Sequence, residues 1–171
     1  MADYDGKARR CLASCGKLKI PDATGPFSQS VQLEDTIYIS GQIGLDPSSM
    51  EMVGRVDSLT GEWNDRRETV EMEVRQALQN MEGILKAAGA SFNNVMKTTV
   101  LLTDIKDLDV VDEVYKAFFA SNYPARQAYQ VGPLPKGAMV SIEAIAVTGK
   151  ITDDKTENDL EELDEGPDEL E

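Results

Sequence analysis

The sequence predicts one α+β domain in which two helices pack on one face of a mixed β-sheet. Three observations carry that prediction. Two stretches place apolar residues at steps of three and four, five shorter runs concentrate β-branched and aromatic residues, and their order along the chain is β-β-α-β-α-β-β. A chain of 171 residues has room for one core of ordinary size.

Taken in order, residues 1–19 mix charges without periodicity and lead to Pro21, Gly25 and Pro26, so a flexible N-terminal arm entering an ordered loop is expected. From Ser30 the runs VQL and TIYIS flank a turn candidate at Glu34-Asp35, a hairpin that feeds the glycine-containing bend SGQIG. Residues 46–64 are rich in Pro, Ser, Gly and Met, with Trp63 near the end, and read as a long functional loop or as a hairpin extension. Asp65 followed by Glu68 has the spacing of a capping box. Val70, Val74, Ala77, Leu78, Met81, Leu85 and Ala88 then form a helical stripe, and Gly89 supplies a left-handed stop. VMKTTVLL is apolar enough to lie inside a sheet. A second helix presents Leu108, Val111, Tyr115, Phe118 and Phe119 and ends before Pro124. Strands around 125–131 and 140–147, joined by PLPKG, complete a domain spanning 20–150. Residues 151–171 hold 11 acids and one Lys around four apolar residues. Such a segment cannot bury enough surface to offset its ordering entropy, so a disordered, solubilising tail is expected.

Composition removes whole classes of chemistry. The formal charge of −14 belongs mostly to the tail, since residues 1–150 carry 20 acids and 16 bases. No cluster of Lys and Arg offers itself to a phosphate backbone, so nucleic acid is not the expected partner. The chain has no histidine, which excludes Ser-His-Asp and Cys-His catalysis, HExxH metal sites and the His-bearing zinc deaminases. Cys11 and Cys15 are too few for a structural zinc site and do not form CxxC, so they read as inert thiols in a reducing compartment. No apolar run approaches a membrane span, and Asp3 and Asp5 stand where a secretory or transit segment would be apolar or acid-poor. A cytoplasmic location is expected, with the mitochondrion left open.

Phosphate-cradling motifs are also missing: there is no GxGxxG, and Gly132 and Gly137 have the Walker spacing without the Lys-Ser/Thr that should follow. What remains is an ionisable pair on strands. Alternation in VSIEAIAV puts Ser141, Glu143, Ile145 and Val147 on one face, so Glu143 sits among aliphatic neighbours and needs a partner. Arg126 is the candidate, either as a structural ion-pair partner or as the planar fork that holds an anionic ligand. On the residues alone the structural pair is the favoured of the two.

Beyond these patterns, the blocks IPDATGPFSQSVQ, IYISGQIGLDPSS, EVRQALQNMEGILKAAGA, NVMKTTVLLTDI, VYKAFF and YPARQAYQVGPLPKGAMVSIEAIAV resemble, in order, the reactive-intermediate deaminase A (Rid, or YjgF) family, and particularly its animal members. The resemblance runs from about residue 20 to 149, with a longer insert around 50–64. It implies a chorismate-mutase-like α+β fold, a homotrimer with ligand clefts between subunits, and hydrolysis of small 2-imino acids or enamines to 2-keto acids and ammonia without a cofactor. It also implies that Arg126 of the PAR motif clamps the substrate carboxylate, with Phe27, Ser40, Gly41, Asp112, Ala128 and Ser141 lining the substrate site and Glu143 sharing the catalytic work. The chain departs from the family pattern at working positions. Phe27 replaces a tyrosine, Asp112 an asparagine, Ser141 the first acid of Val-Glu-Ile-Glu, and Gln127 a small residue.

Three readings follow. The first is an imine deaminase in which Glu143, or a water held by Ser141, takes over the lost acid's role. The second is a divergent paralogue that binds small carboxylates and turns over poorly. The third, a ribonuclease or translation inhibitor, sits worst with the missing histidines and the acidic charge.

Overall fold

In a computed structural model of the chain, residues 8–11, 20–56, 60–62, 64–119 and 123–151 are described. They form strands β1 (Ala8–Cys11), β2 (Ser30–Leu33), β3 (Thr36–Gln42), β4 (Val95–Leu102), β5 (Ala125–Gln130) and β6 (Val140–Val147), with helices α1 (Arg66–Ala87) and α2 (Leu108–Phe118). The strands make one sheet in the order β1-β2-β3-β6-β4-β5. Every neighbouring pair is antiparallel except β4 and β5, which α2 connects as a crossover, the connection a parallel pair requires. The expected α+β architecture is the one observed.

Helix α1 starts and stops where its signals stand. The Asp65 side chain accepts from Glu68 N at 2.9 Å, and after Ala88 the chain turns through Gly89 at φ +76°. The Ala90 amide then closes the end on the Leu85 carbonyl at 2.9 Å. Val70, Val74, Ala77, Leu78, Met81, Ile84 and Leu85 are fully buried against the sheet. Each larger aliphatic side chain among them contributes on the order of 1.5–3 kcal/mol relative to exposure. Helix α2 adds Val110, Val111, Val114 and Tyr115, while the expected Leu108 and Phe118 are only partly buried at the margin of the same core. Arg66 clasps Asp107 with two nitrogens at 3.1 and 2.5 Å, and Arg67 reaches Asp109 and Glu113, tying the helices together.

Several expectations change. Part of the arm read as loose, Ala8–Cys11, pairs with β2 as an edge strand. Strand β3 does not stop before Gly41 but runs on to Gln42, with a register slip against β6 between Ile39 and Gln42. Along residues 46–56 the long connection begins as a hairpin extension, with Leu45 bridging Met52 and Asp46 accepting from the amides of Ser48 and Ser49. Trp63, Cys15 and the tail from residue 152 lie outside the described residues. Among those described, no helix is long and apolar enough to cross a membrane.

The largest correction concerns Glu143. On β6, Val140, Ile142, Ala144 and Ala146 are buried under the helices, whereas Glu143 points to the other face and is exposed. Its aliphatic neighbours were expected to bury it, but although Ser141 two residues earlier is covered, Glu143 is left exposed among the described residues. Its expected partner is elsewhere: Glu143 pairs in register with Thr99 and Arg126 with Thr98, consecutive residues of β4 whose side chains point to opposite faces. No Glu143–Arg126 ion pair can form within one chain.

Candidate active site

One hollow forms where the loop 21–29 lies along β3. The Gln29 amide donates to the Pro21 carbonyl at 2.8 Å, and the Gln42 amide donates to the Gln29 side chain at 2.9 Å, so two buried amides satisfy each other and the loop. The Ser40 hydroxyl donates to the Ser28 carbonyl at 2.6 Å. These bonds fix the neighbouring Phe27, whose ring stays 45% exposed over a cavity of about 320 Å³ that Gly41, Ile43, Pro135 and Ser141 also line. Gly41 leaves room here for the Ser141 hydroxyl, which would have to move if position 41 carried a Cβ, since that atom would stand 2.6 Å away. Among the described residues that hydroxyl has no hydrogen-bond partner, which leaves it free to hold water.

The walls of this hollow are anchored from behind by polar groups inside α1. The Asn80 amide donates to the carbonyls of Ile43 and Leu45 at 3.2 and 2.9 Å. Glu73, fully buried, accepts from the Met139 amide at 2.7 Å, two residues before Ser141. Arg55 of the insert stands 3.3 Å from Glu73 and donates to the Gly137 carbonyl at 2.5 Å. Burial pushes the Glu73 carboxyl above the usual carboxylate range, opposed by the Met139 amide and the Arg55 charge. Gly44 passes so close that a Cβ would lie 2.6 Å from the Glu73 Cα. Neither Glu73 nor Asn80 was singled out from the sequence, although Glu73 stands beside Val74 within the apolar stripe, where a carboxylate is conspicuous.

A second hollow, of about 240 Å³, lies between α2 and the start of β5 and is lined by Asp112, Tyr115, Lys116, Tyr123, Pro124 and Arg126. Arg126 points to the helix side of the sheet. Its guanidinium carbon sits 5.0 Å from the Tyr115 ring centroid, and one terminal nitrogen is 2.6 Å from the Asp112 carboxylate. The Tyr115 hydroxyl shares a 2.8 Å hydrogen bond with Thr98. Burial raises the phenol's pKa, opposed by the Thr98 bond and the Arg126 charge. A planar cation thus lies on an aromatic plane with part of its fork still open to the hollow, the geometry that suits a carboxylate.

The sequence-predicted residues therefore fall into separate places. Phe27, Gly41 and Ser141 share the first hollow, with Ser40 bracing its loop, and Arg126 and Asp112 share the second. Ala128 packs against the core beside Val100. Glu143 lines neither hollow and faces a shallow depression with Tyr38, Lys97 and Thr99 on the open sheet face.

Comparison with known proteins bears on this arrangement. Residues 17–148 match the family described as endoribonuclease L-PSP. Over 134 residues the chain is 53% identical to 2-iminobutanoate/2-iminopropanoate deaminase of Homo sapiens, an alignment covering 78% of this chain and 88% of that protein. It is 38% identical over 128 residues to the RutC family protein UK114 of Drosophila melanogaster, covering 74% of this chain and 82% of that one. Among solved structures, E. coli TdcF with bound serine is similar with a TM-score of 0.68 at 34% identity, over 82% of this chain and all of that one. RidA from the Antarctic bacterium Psychrobacter gives a TM-score of 0.65 at 40% identity, over 76% of this chain and 94% of that one.

Proposed function

Because the chain belongs to the endoribonuclease L-PSP (YjgF/Rid) family, we propose that it hydrolyses small 2-imino acids to 2-keto acids and ammonia. The observation that carries the reading is Arg126, a guanidinium stacked on Tyr115 with an edge open to a hollow of substrate size. There it takes the substrate carboxylate, which fixes the adjacent C=N carbon. That carbon is already electrophilic, and more so when the nitrogen is protonated, so the protein needs only to orient the imine, place a water and move protons. Ser141 holds the water and Phe27 covers the alkyl group. Attack forms a C–O bond, the resulting carbinolamine transfers a proton from oxygen to nitrogen, and the C–N bond breaks to leave the keto acid and ammonia.

The two hollows have no lining residue in common. The reading therefore includes a homotrimer, in which the Arg126 hollow of one copy meets the Phe27 hollow of the next and the open sheet face with Tyr38 and Tyr129 is covered. The formal charge of −14 supports this chemistry over binding of RNA.

The test supplies the full chain with 2-iminopropanoate generated in place from alanine by an amino-acid oxidase. Pyruvate release should exceed the spontaneous rate, and Arg126→Ala should return it to that rate. A parent that binds 2-ketobutyrate yet leaves the spontaneous rate unchanged would instead be the carboxylate-binding paralogue.

A further inference from the structure

The Arg126–Asp112 pair does more than hold a carboxylate. We propose that the pair is a zwitterion receptor, favouring ligands that carry a carboxylate and a cationic nitrogen on adjacent carbons over simple carboxylate anions. The inference rests on Arg126 being the carboxylate clamp of the proposed deaminase and names what that clamp discriminates.

One terminal nitrogen of Arg126 already lies 2.6 Å from the Asp112 carboxylate. A plain carboxylate entering the hollow meets two alternatives. It shares the guanidinium with Asp112, setting two carboxylates side by side, or it displaces Asp112 and strips a charge partner from an Oδ1 that has no solvent contact and no directed hydrogen bond. A zwitterion avoids both, because its carboxylate faces Arg126 while its nitrogen faces Asp112. The remaining groups do not change the sign. Tyr115 engages Thr98 through its hydroxyl and Arg126 through its ring face. Lys116 lines the same hollow and by itself favours the anion, but among the described residues it makes no ion pair with Asp112, and it is common to the parent and the Asp112 variants, so the change in the ratio reports Asp112.

The discrimination suits the reaction. A 2-imino acid protonated on nitrogen is a zwitterion, whereas the 2-keto acid product is an anion only. Asp112 therefore attracts the substrate, stabilises the iminium form that water attacks, and repels the product once the nitrogen has left. Asp112 is a specificity-determining residue by this account, and Arg126 alone would bind substrate and product with less distinction.

The experiment titrates the full chain and Asp112→Asn with 2-ketobutyrate and with 2-aminobutyrate, by calorimetry or NMR shift. Asp112→Asn should tighten the keto acid about tenfold and weaken the amino acid by a similar factor, since both effects come from one unit charge a few ångströms away. Asp112→Ala should change both affinities with the same signs, and melts of each variant report folding. Affinities that move in the same direction, a ratio that does not move, or a parent that binds neither ligand would overturn the receptor. A merely structural anchor for Arg126 would weaken both ligands together. The deaminase reading fails separately, if the parent shows the predicted ratio but leaves imine hydrolysis at its spontaneous rate.

Discussion

The hollow under Phe27 is walled by prolines, aliphatic groups, hydroxyls, the amides of Gln29 and Gln42 and one carboxylate, Asp22, and is braced from behind by buried hydrogen bonds of Glu73 and Asn80. The hollow beside Arg126 is walled by charges and phenols, and its central contact is an ion pair that is partly open to solvent. One carries no cation and is held by buried hydrogen bonds; the other carries a cation that stays partly open to a ligand while paired with Asp112. On the proposed reading, the difference separates two tasks of an imine hydrolase, shielding an electrophile with a placed water and holding an anion.

The sharpest way to break this contrast is at Arg126. Arg126→Ala should lower 2-ketobutyrate affinity at least about a hundredfold, and Arg126→Lys should fare almost as badly, because a point ammonium cannot make two parallel bonds to a carboxylate. Calorimetry measures both. A Lys variant binding like the parent would reduce Arg126 to a structural partner of Asp112.

A smaller effect sharpens the other side. Ser141→Glu with Phe27→Tyr should raise the initial rate of keto-acid release by about tenfold, since a positioned acid or base typically contributes ~10²–10⁴-fold and Asp112 and Gln127 still depart from the family pattern. Glu143, two residues along the strand, lines a separate depression and not this hollow. An unchanged rate in a well-folded variant would show that water placement is already complete with Ser141.

The smallest effect concerns the bracing. Burial raises the Glu73 carboxyl above its unfolded value, so the folded chain keeps this proton to higher pH than the unfolded one. The group's contribution to stability is then full below the ordinary glutamate range and is lost as pH rises through the folded value. As pH rises from the ordinary glutamate range, melting temperature should fall more steeply in the parent than in Glu73→Gln, where the difference between the two curves removes the background of the other acids. Parallel curves would mean that Glu73 is charged throughout.

How far the sequence carried these conclusions depended on locality. Helix α1 was legible because Asp65, the apolar stripe and Gly89 all act within a turn or two of one another. Strand β6 was legible in position and alternation, but alternation says only that Ser141 and Glu143 share a face, not whether helices cover it. The pairing of Arg126 with Glu143 failed on that point. Strand β1 was invisible because ARRC has no apolar alternation and its pairing partner, β2, stands about twenty residues on in the chain. Phe27 and Asp112 came from the motif resemblance alone; Arg126 was already a candidate anion fork on the residues, and Ser141 was placed by alternation but given a site role only by the resemblance. Glu73 left a trace, an acid within an apolar stripe, whose partners Arg55 and Met139 stand far off in the chain.

The claim that the site is shared between copies has a direct test in subunit complementation. Arg126→Ala and Ser141→Val, each expected to be nearly inactive alone, are co-expressed with different tags and the mixed assemblies isolated. If each working site takes Arg126 from one copy and Ser141 from the next, every mixed trimer keeps one intact site of its three, and imine hydrolysis should return to about a third of the parent's rate. Mixed assemblies no more active than the two variants measured separately would place both residues' functions within a single chain and contradict the shared site.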